Sequence, residues 1–321
     1  MNIKSLAKLA GVSTSTISKV FSDSKEVSQK TKDKVIKIAK EHGCYEKYNK
    51  NKFPKRVIGV ICPEINGDYY NATVTYLSKL IEEQGDIMTL SVSNFNPSKT
   101  AEIFNYYSSY IKTDAVIVIG NISKVENPQM VPTVAIESNI RKQGISSIKV
   151  DVRKALKQAV LHLYERGCDT IGFAGETLTK SKITSFKKTL NEVGVGFYDK
   201  FIKTSTNRFE QAGVDDVNEW IKEGSLPKGI IAAYDFVAIG CIKALKENGY
   251  RVPEDVAVIG MDDVARAEYL ETPLSSIHYS MRSSCKLAMD MLNEKFKNKY
   301  YMSGSLTMID AGFVPRKSSD R

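Results

Sequence analysis

The chain is 321 residues long, 42% hydrophobic and 26% charged, which is the balance of a globular protein with length for two or three domains. Its net charge is +9, and the whole surplus lies in residues 1–56, which hold 14 Lys/Arg against 5 Asp/Glu, while residues 57–321 hold 32 of each. No apolar run reaches the roughly 18 residues of a membrane span, which excludes an integral helical membrane protein, and the charge asymmetry marks a polyanion-binding appendage on a neutral body.

Residues 1–45 are predicted to form three short helices. Asn2 caps the first over residues 3–10 and Gly11 stops it. Ser13 caps a second over 14–21, and Ser28 caps a third over 29–42, closed by Gly43. In the third, Val35, Ile38 and Ala39 recur at helical spacing and leave the lysines on the other face. Residues 5–20 have the order of a helix–turn–helix. Leu6, Ala7 and Ala10 point inward, Gly11 permits the left-handed turn, Val12 plugs the corner, and Ile17 and Val20 are buried on the second helix. Thr14, Ser15, Ser18 and Lys19 then face outward, where a recognition helix meets base edges in the major groove. A generic helical hairpin would bury the same apolar positions. The lysine excess and the short hydroxyl side chains at the helix starts point instead to phosphate contacts. Asn2 and Thr16 complete the candidate DNA-facing set.

Residues 46–56 have no apolar period and read as a basic hinge or linker. From Val57 onward, strand-like apolar runs at 57–62, 87–92, 115–119, 133–136, 170–174, 229–232 and 256–259 are separated by several amphipathic stretches of helical length, at 70–84, 152–166, 181–193, 209–223 and 236–248. Repeated βα units with continuous apolar strands imply parallel sheets covered by helices on both faces. This is more chain than one sheet normally holds, so two α/β lobes are expected.

The five cysteines (Cys44, Cys62, Cys168, Cys241, Cys285) are scattered singly with no CxxC spacing, which fits a reduced, cytoplasmic setting. The N-terminus lacks the apolar stretch and cleavage site of a secretory signal. His42, His162 and His278 have no metal-ligand spacing and read as structural. Asp262 and Asp263 are adjacent after a strand and point in different directions, a poor acid/base couple for glycoside hydrolysis, and Asp263 reads as a cap for the following helix. With no P-loop, no GxGxxG after the first strand, no GxSxG and no Cys/His pair with a plausible orienter, no enzyme and no cofactor is expected.

Three further segments, together with the helix–turn–helix and Val27-Ser28-Gln29-Lys30-Thr31, carry a resemblance. Residues 233–240 are similar to A-x-D-x-x-A-x-G, residues 251–263 to R-V-P-E-D-V-x-V-x-G-F-D-D, and residues 272–277 to P-P-L-T-T-V. Over essentially its whole length the sequence resembles the LacI/GalR family of bacterial transcription regulators. The resemblance implies a small all-α helix–turn–helix head on a periplasmic-binding-protein-like core, in two parallel-sheet lobes of about 57–150 with 278–306 and 151–277 with 307–321. It implies base reading by Thr14, Ser15 and Lys19 and phosphate contacts by Ser13, Ser28 and Thr31. The linker departs from the family pattern, with Cys44 where Tyr is usual, Glu46 where Pro is usual and no Ala-x-x-Leu. Phe53 is then the apolar candidate for a minor-groove wedge, or a residue packed on the core, or plain linker.

An effector is expected in the cleft between the lobes, at the carboxyl ends of the strands. The implied contacts are Tyr69, Tyr70, Glu137, Lys182, Arg208, Tyr234 and Asp262, with Lys182 where Arg is usual, Arg208 or Phe209 at an aromatic position, and Tyr234 where a small side chain is common. A sugar, polyol, sugar acid or phosphosugar fits such a set, as does a lost site. The expected function is a cytoplasmic, homodimeric repressor of a pseudo-palindromic DNA operator. The alternatives are a regulator with a non-sugar effector, a solute-binding protein or a non-specific DNA binder. Chain crossings between lobes are expected near 148–152, 275–280 and after Met308.

Overall fold

The computed structural model describes residues 1–48, 56–297 and 304–321. The head consists of α1 (Ile3–Ala10), α2 (Thr14–Phe21), α3 (Gln29–Glu41) and a single turn, α4 (Tyr45–Tyr48). All three expected caps form: Asn2, Ser13 and Ser28 each accept the backbone N–H three residues on, and Gly11 has φ 65°. Leu6, Ala10, Ile17, Val35 and Ala39 are fully buried in the middle of the head. The head runs past residue 45. The rings of Tyr45 and Tyr48 lie 6.1 and 5.6 Å from that of Phe21, and the Tyr48 hydroxyl donates to the Met1 carbonyl at 3.0 Å. Two tyrosines three apart share one helical face, so Tyr48, assigned to the linker, packs beside Tyr45 on the core of the head instead. Phe53 lies outside the described residues.

The first lobe begins with β1 (Val57–Cys62), α5 (Asp68–Glu83), β2 (Ile87–Val92), α6 (Pro97–Asn105), β3 (Ala115–Ile119), β4 (Thr133–Ile136) and β5 (Ile145–Asp151). A π-helical turn, Tyr106–Ile111, follows α6. It drives the Tyr107 ring over Gly59 of β1, where any Cβ would collide with it. The chain then crosses at Val152 into α7 (Arg153–Glu165), β6 (Ile171–Glu176), α8 (Lys180–Val193), β7 (Ile202–Ser205), α9 (Phe209–Glu223), β8 (Gly229–Ala232), α10 (Asp235–Glu247), β9 (Ala257–Met261) and β10 (Ser275–His278). It returns through Tyr279 and Ser280 to α11 (Met281–Lys297), which packs on α5, and to β11 (Leu306–Asp310), then crosses a third time at Ala311 into β12 (Gly312–Val314).

The sheet orders are β11-β5-β4-β3-β1-β2, parallel throughout, and β12-β10-β9-β8-β6-β7, parallel except for β12. The expected crossings at 148–152 and 275–280 are where the chain changes lobe. The third also falls after Met308, at Ala311, but the lobe boundary expected at 306/307 is corrected, because residues 307–310 pair with β5 in the first sheet. In both sheets the central strands are buried along their length, and the strand order reverses beside β1 and beside β6. That puts two crevices, one per lobe, at the carboxyl ends of the strands.

Candidate functional site

On the head, Thr14, Ser15, Ser18 and Lys19 are exposed along one side of α2, as expected, while Thr16 is half-buried. Ser13 Oγ accepts from Thr16 N at 3.0 Å and shares a 2.8 Å hydrogen bond with its hydroxyl. Ser28 and Thr31 repeat the arrangement at α3, at 3.3 and 2.9 Å, and Asn2 Oδ1 takes both donors of Ser5. Each cap thus ties down the first turn of a helix while staying at the surface. Charges on the same face that the sequence patterns did not pair are Lys19 with Glu26 at 2.5 Å and Lys32 with Asp23 at 2.6 Å. Both carboxyls are held below the usual range by their lysines.

Between the lobes lies a cavity of about 270 Å3, and all seven expected effector contacts line it. The topology explains the convergence: Tyr69 and Tyr70 open α5 after β1, Glu137 follows β4, Tyr234 follows β8, Asp262 follows β9, Lys182 lies in the first turn of α8, and Arg208 precedes α9. Glu137 accepts from Lys149 at 2.9 Å and from the Tyr69 hydroxyl at 3.4 Å. The Tyr279 hydroxyl donates to Asp262. Burial pushes the Asp262 carboxyl up against the opposing pull of Lys182 and Tyr279, and burial raises the phenols of Tyr69 and Tyr279 well above their ordinary value. Lys182 Nζ donates to the Ala233 carbonyl at 2.6 Å and sits 5.9 Å over the Tyr234 ring. Its charge therefore comes as a single point, without the fork of an arginine.

Sequence patterns missed several lining groups. Glu176 ends β6, two residues beyond the predicted strand, and is buried: it accepts from Phe209 N at 2.7 Å and Arg208 Nε at 2.5 Å. Glu64, Phe95, Lys149, Phe236 and Tyr279 also face the cavity. Burial disfavours the Arg208 charge, but Glu64 and Glu176 outweigh it and raise its pKa. The signal for the two glutamates was their place at the carboxyl ends of β1 and β6. Asp263 is corrected. It does not cap a helix: its Oδ1 accepts from Arg316 at 2.7 Å and its Oδ2 faces His278 Nδ1 at 3.1 Å. The N–H that opens the next turn, on Val264, is taken by Asp235 at 2.7 Å, because the buried Asp235 at the start of α10 reaches it first.

Two family profiles match the chain: "Bacterial regulatory proteins, lacI family" over residues 2–46 and "Periplasmic binding protein-like domain" over residues 160–319. The chain belongs to the LacI family of bacterial transcriptional regulators. This LacI-family regulator is 29% identical over 315 residues to the HTH-type transcriptional regulator GalR of Streptococcus thermophilus, covering 90% of this chain and 91% of that one. Among solved structures it is similar to the lac repressor dimer bound to operator and the anti-inducer ONPF (TM-score 0.76, 18% identity, 99% of each chain). It is also similar to a LacI-family transcriptional regulator of Enterococcus faecium with bound ribose (TM-score 0.71, 20% identity, 82% of this chain and 98% of that one). The head is accordingly its DNA-binding domain and the two-lobed core its effector-binding domain. Among the described residues no helix is long and apolar enough to cross a membrane, and no cluster of His, Cys, Asp and Glu could hold a metal ion.

Proposed function

We propose that this regulator is a homodimeric, cytoplasmic repressor of a pseudo-palindromic operator, released or recruited by a small sugar-like effector in the inter-lobe cavity. The observation that carries this reading is the cavity itself: half-buried carboxylates and aromatic rings from the strand ends of both sheets, on one chain with a basic helix–turn–helix. Two heads place α2 in successive major grooves, where Thr14, Ser15, Ser18 and Lys19 reach base edges. Asn2, Ser13, Thr16, Ser28 and Thr31 serve as phosphate contacts around them. Tyr69, Tyr70 and Tyr234 supply apolar ring faces, and Glu137, Asp262 and Lys182 supply acceptors and a donor for hydroxyl groups. A volume of about 270 Å3 is below the roughly 300–1,000 Å3 of drug-sized ligand pockets, which favours a ligand the size of one sugar ring. The cations Lys149 and Arg208 are already paired with carboxylates inside the cavity. A third cation, Lys182, rests on the Ala233 carbonyl and offsets the buried Asp262, so a neutral polyol fits better than a sugar acid or phosphosugar, whose anion would have to draw a cation away from these partners.

The test is selection of fragmented genomic DNA by the purified protein at about 150 mM salt. Enrichment of a short palindrome is expected, and the neighbouring genes then nominate effectors for titration against the complex. Uniform, salt-sensitive retention of all fragments would replace this reading with that of a non-specific binder, which the +9 surplus of the N-terminal region would drive.

A further inference from the structure

Arg208 and Phe209 belong to the second lobe, at the start of α9, yet both reach the first. The Arg208 guanidinium makes a bidentate pair with Glu64 of the first lobe, at 2.8 and 3.1 Å, while its Nε donates to Glu176 of its own lobe at 2.5 Å. Its Cζ lies 5.4 Å from the centre of the Phe95 ring of the first lobe and 4.7 Å from that of Phe209. Phe209 has φ 58°, a left-handed conformation that bulky L-residues seldom adopt. It is held there by Glu176, which accepts its N–H, and by the rings of Tyr234 and Phe236 at 6.3 and 5.9 Å. The Phe209 ring also abuts Gly67 of the first lobe, where an added Cβ would press on it. On the facing side the Asn94–Phe95 turn is left-handed too, with φ 53° and 57°, and presents the Phe95 ring to Arg208. A second inter-lobe pair, Arg266 with Asp68 at 2.8 Å, lies nearby at the surface.

An isolated surface ion pair contributes little. A planar guanidinium fixed by a buried carboxylate behind, gripped by a bidentate carboxylate in front and flanked by aromatic faces is pre-organised for its partner. We propose that Arg208 and Phe209 form a clasp that holds the two lobes closed over the cavity without any effector, with Glu64 as its catch on the first lobe. Opening breaks the pair with Glu64 and the contacts with Gly67 and Phe95, and leaves Arg208 on Glu176. An effector then enters a closed state that the protein already favours, and the strength of the catch sets how far binding can shift the lobes.

The experiment uses the full chain with neither DNA nor effector, so its outcome is independent of the repressor reading. The five native cysteines are buried, so spin labels go on exposed Lys99→Cys in α6 and Lys222→Cys in α9, and the labelled chain is diluted into unlabelled protein. Pulsed dipolar distances are expected to be short and narrow for the otherwise native chain, to lengthen with Glu64→Gln and with Arg208→Met, and to lengthen with salt only where the clasp is intact. Identical distributions for the native chain and Glu64→Gln would overturn the proposal. Glu64→Gln retains the Arg208–Glu176 pair, so it decides the question even if Arg208→Met does not fold.

Discussion

Lys19 is the single long cation on the outward side of α2, and its ammonium rests on Glu26 in the free head. At a duplex that pair must open or be carried to the DNA intact. Lys19→Ala is expected to weaken binding to the selected operator by about 1–3 kcal/mol, the worth of a good base contact, while binding to random DNA changes little. An equal loss on both, in salt-matched titrations, would reduce Lys19 to a phosphate contact. In the cavity, Asp262 is the carboxylate that burial keeps expensive and that Lys182 and Tyr279 partly compensate. Asp262→Asn keeps the shape and removes the charge. It is expected to abolish the effector's influence on operator binding and to leave ligand-free operator affinity unchanged, and a full response would remove Asp262 from the site. The places of Asp262 and Lys182 on the cavity wall were legible from the family resemblance and from the strand and helix that each follows or opens. Glu64 and Glu176 were missed: both stand at the carboxyl ends of apolar strands, but nothing local marks that Arg208 gathers one from each lobe.

Among the elements, the caps of α1, α2 and α3 and the buried strands β1, β3, β4 and β8 matched expectation because their signals are local. Those signals are a hydroxyl or amide before an apolar period, and an unbroken apolar run between turn residues. β5 was read as a crossing because Ser146, Ser147 and Lys149 interrupt its apolar pattern. In the fold Ser146 and Ser147 are buried, and the Ser147 hydroxyl is satisfied by the Ile140 carbonyl at 2.7 Å. The pair α9 and α10 shows how small residues set helix separation. Gly213 of α9 faces the Val237 carbonyl, and Gly240 of α10 faces the Glu210 carbonyl, so closely that a Cβ at either would collide with backbone. Gly240→Ala is therefore expected to lower the stability of the core by about 1–3 kcal/mol, the usual cost of overpacking, as a fall in denaturation midpoint. An unchanged midpoint would mean that the helices can separate without loss.

For the molecule as a whole, two buried acids give a stability profile with a definite sign. Burial pushes Asp235 and Asp216 up to about 8, opposed by hydrogen bonds from Ser276 and Val264 in the first case and Gly175 in the second. The folded state therefore holds protons that the unfolded chain has released above about pH 4. Stability should fall as pH rises from about 5 to 8, and Asp235→Asn should flatten part of that fall in thermal melts. A native chain whose melting temperature is flat or rising over that window would refute it. The basic helical head, the alternation of strands and helices, the parallel sheets and the absence of a membrane-length span were determined by the sequence itself. Charge placement, capping residues and hydrophobic period act over a few neighbours and need no distant partner to be read. Tertiary structure alone decided that Tyr48 belongs to the head, that residues 307–310 stay in the first sheet, that Asp263 serves Arg316, and that Arg208 grips Glu64. The last pair is separated by 144 residues. Only the three crossings, which stack the strand ends of one sheet over those of the other, bring such groups within a hydrogen bond's reach.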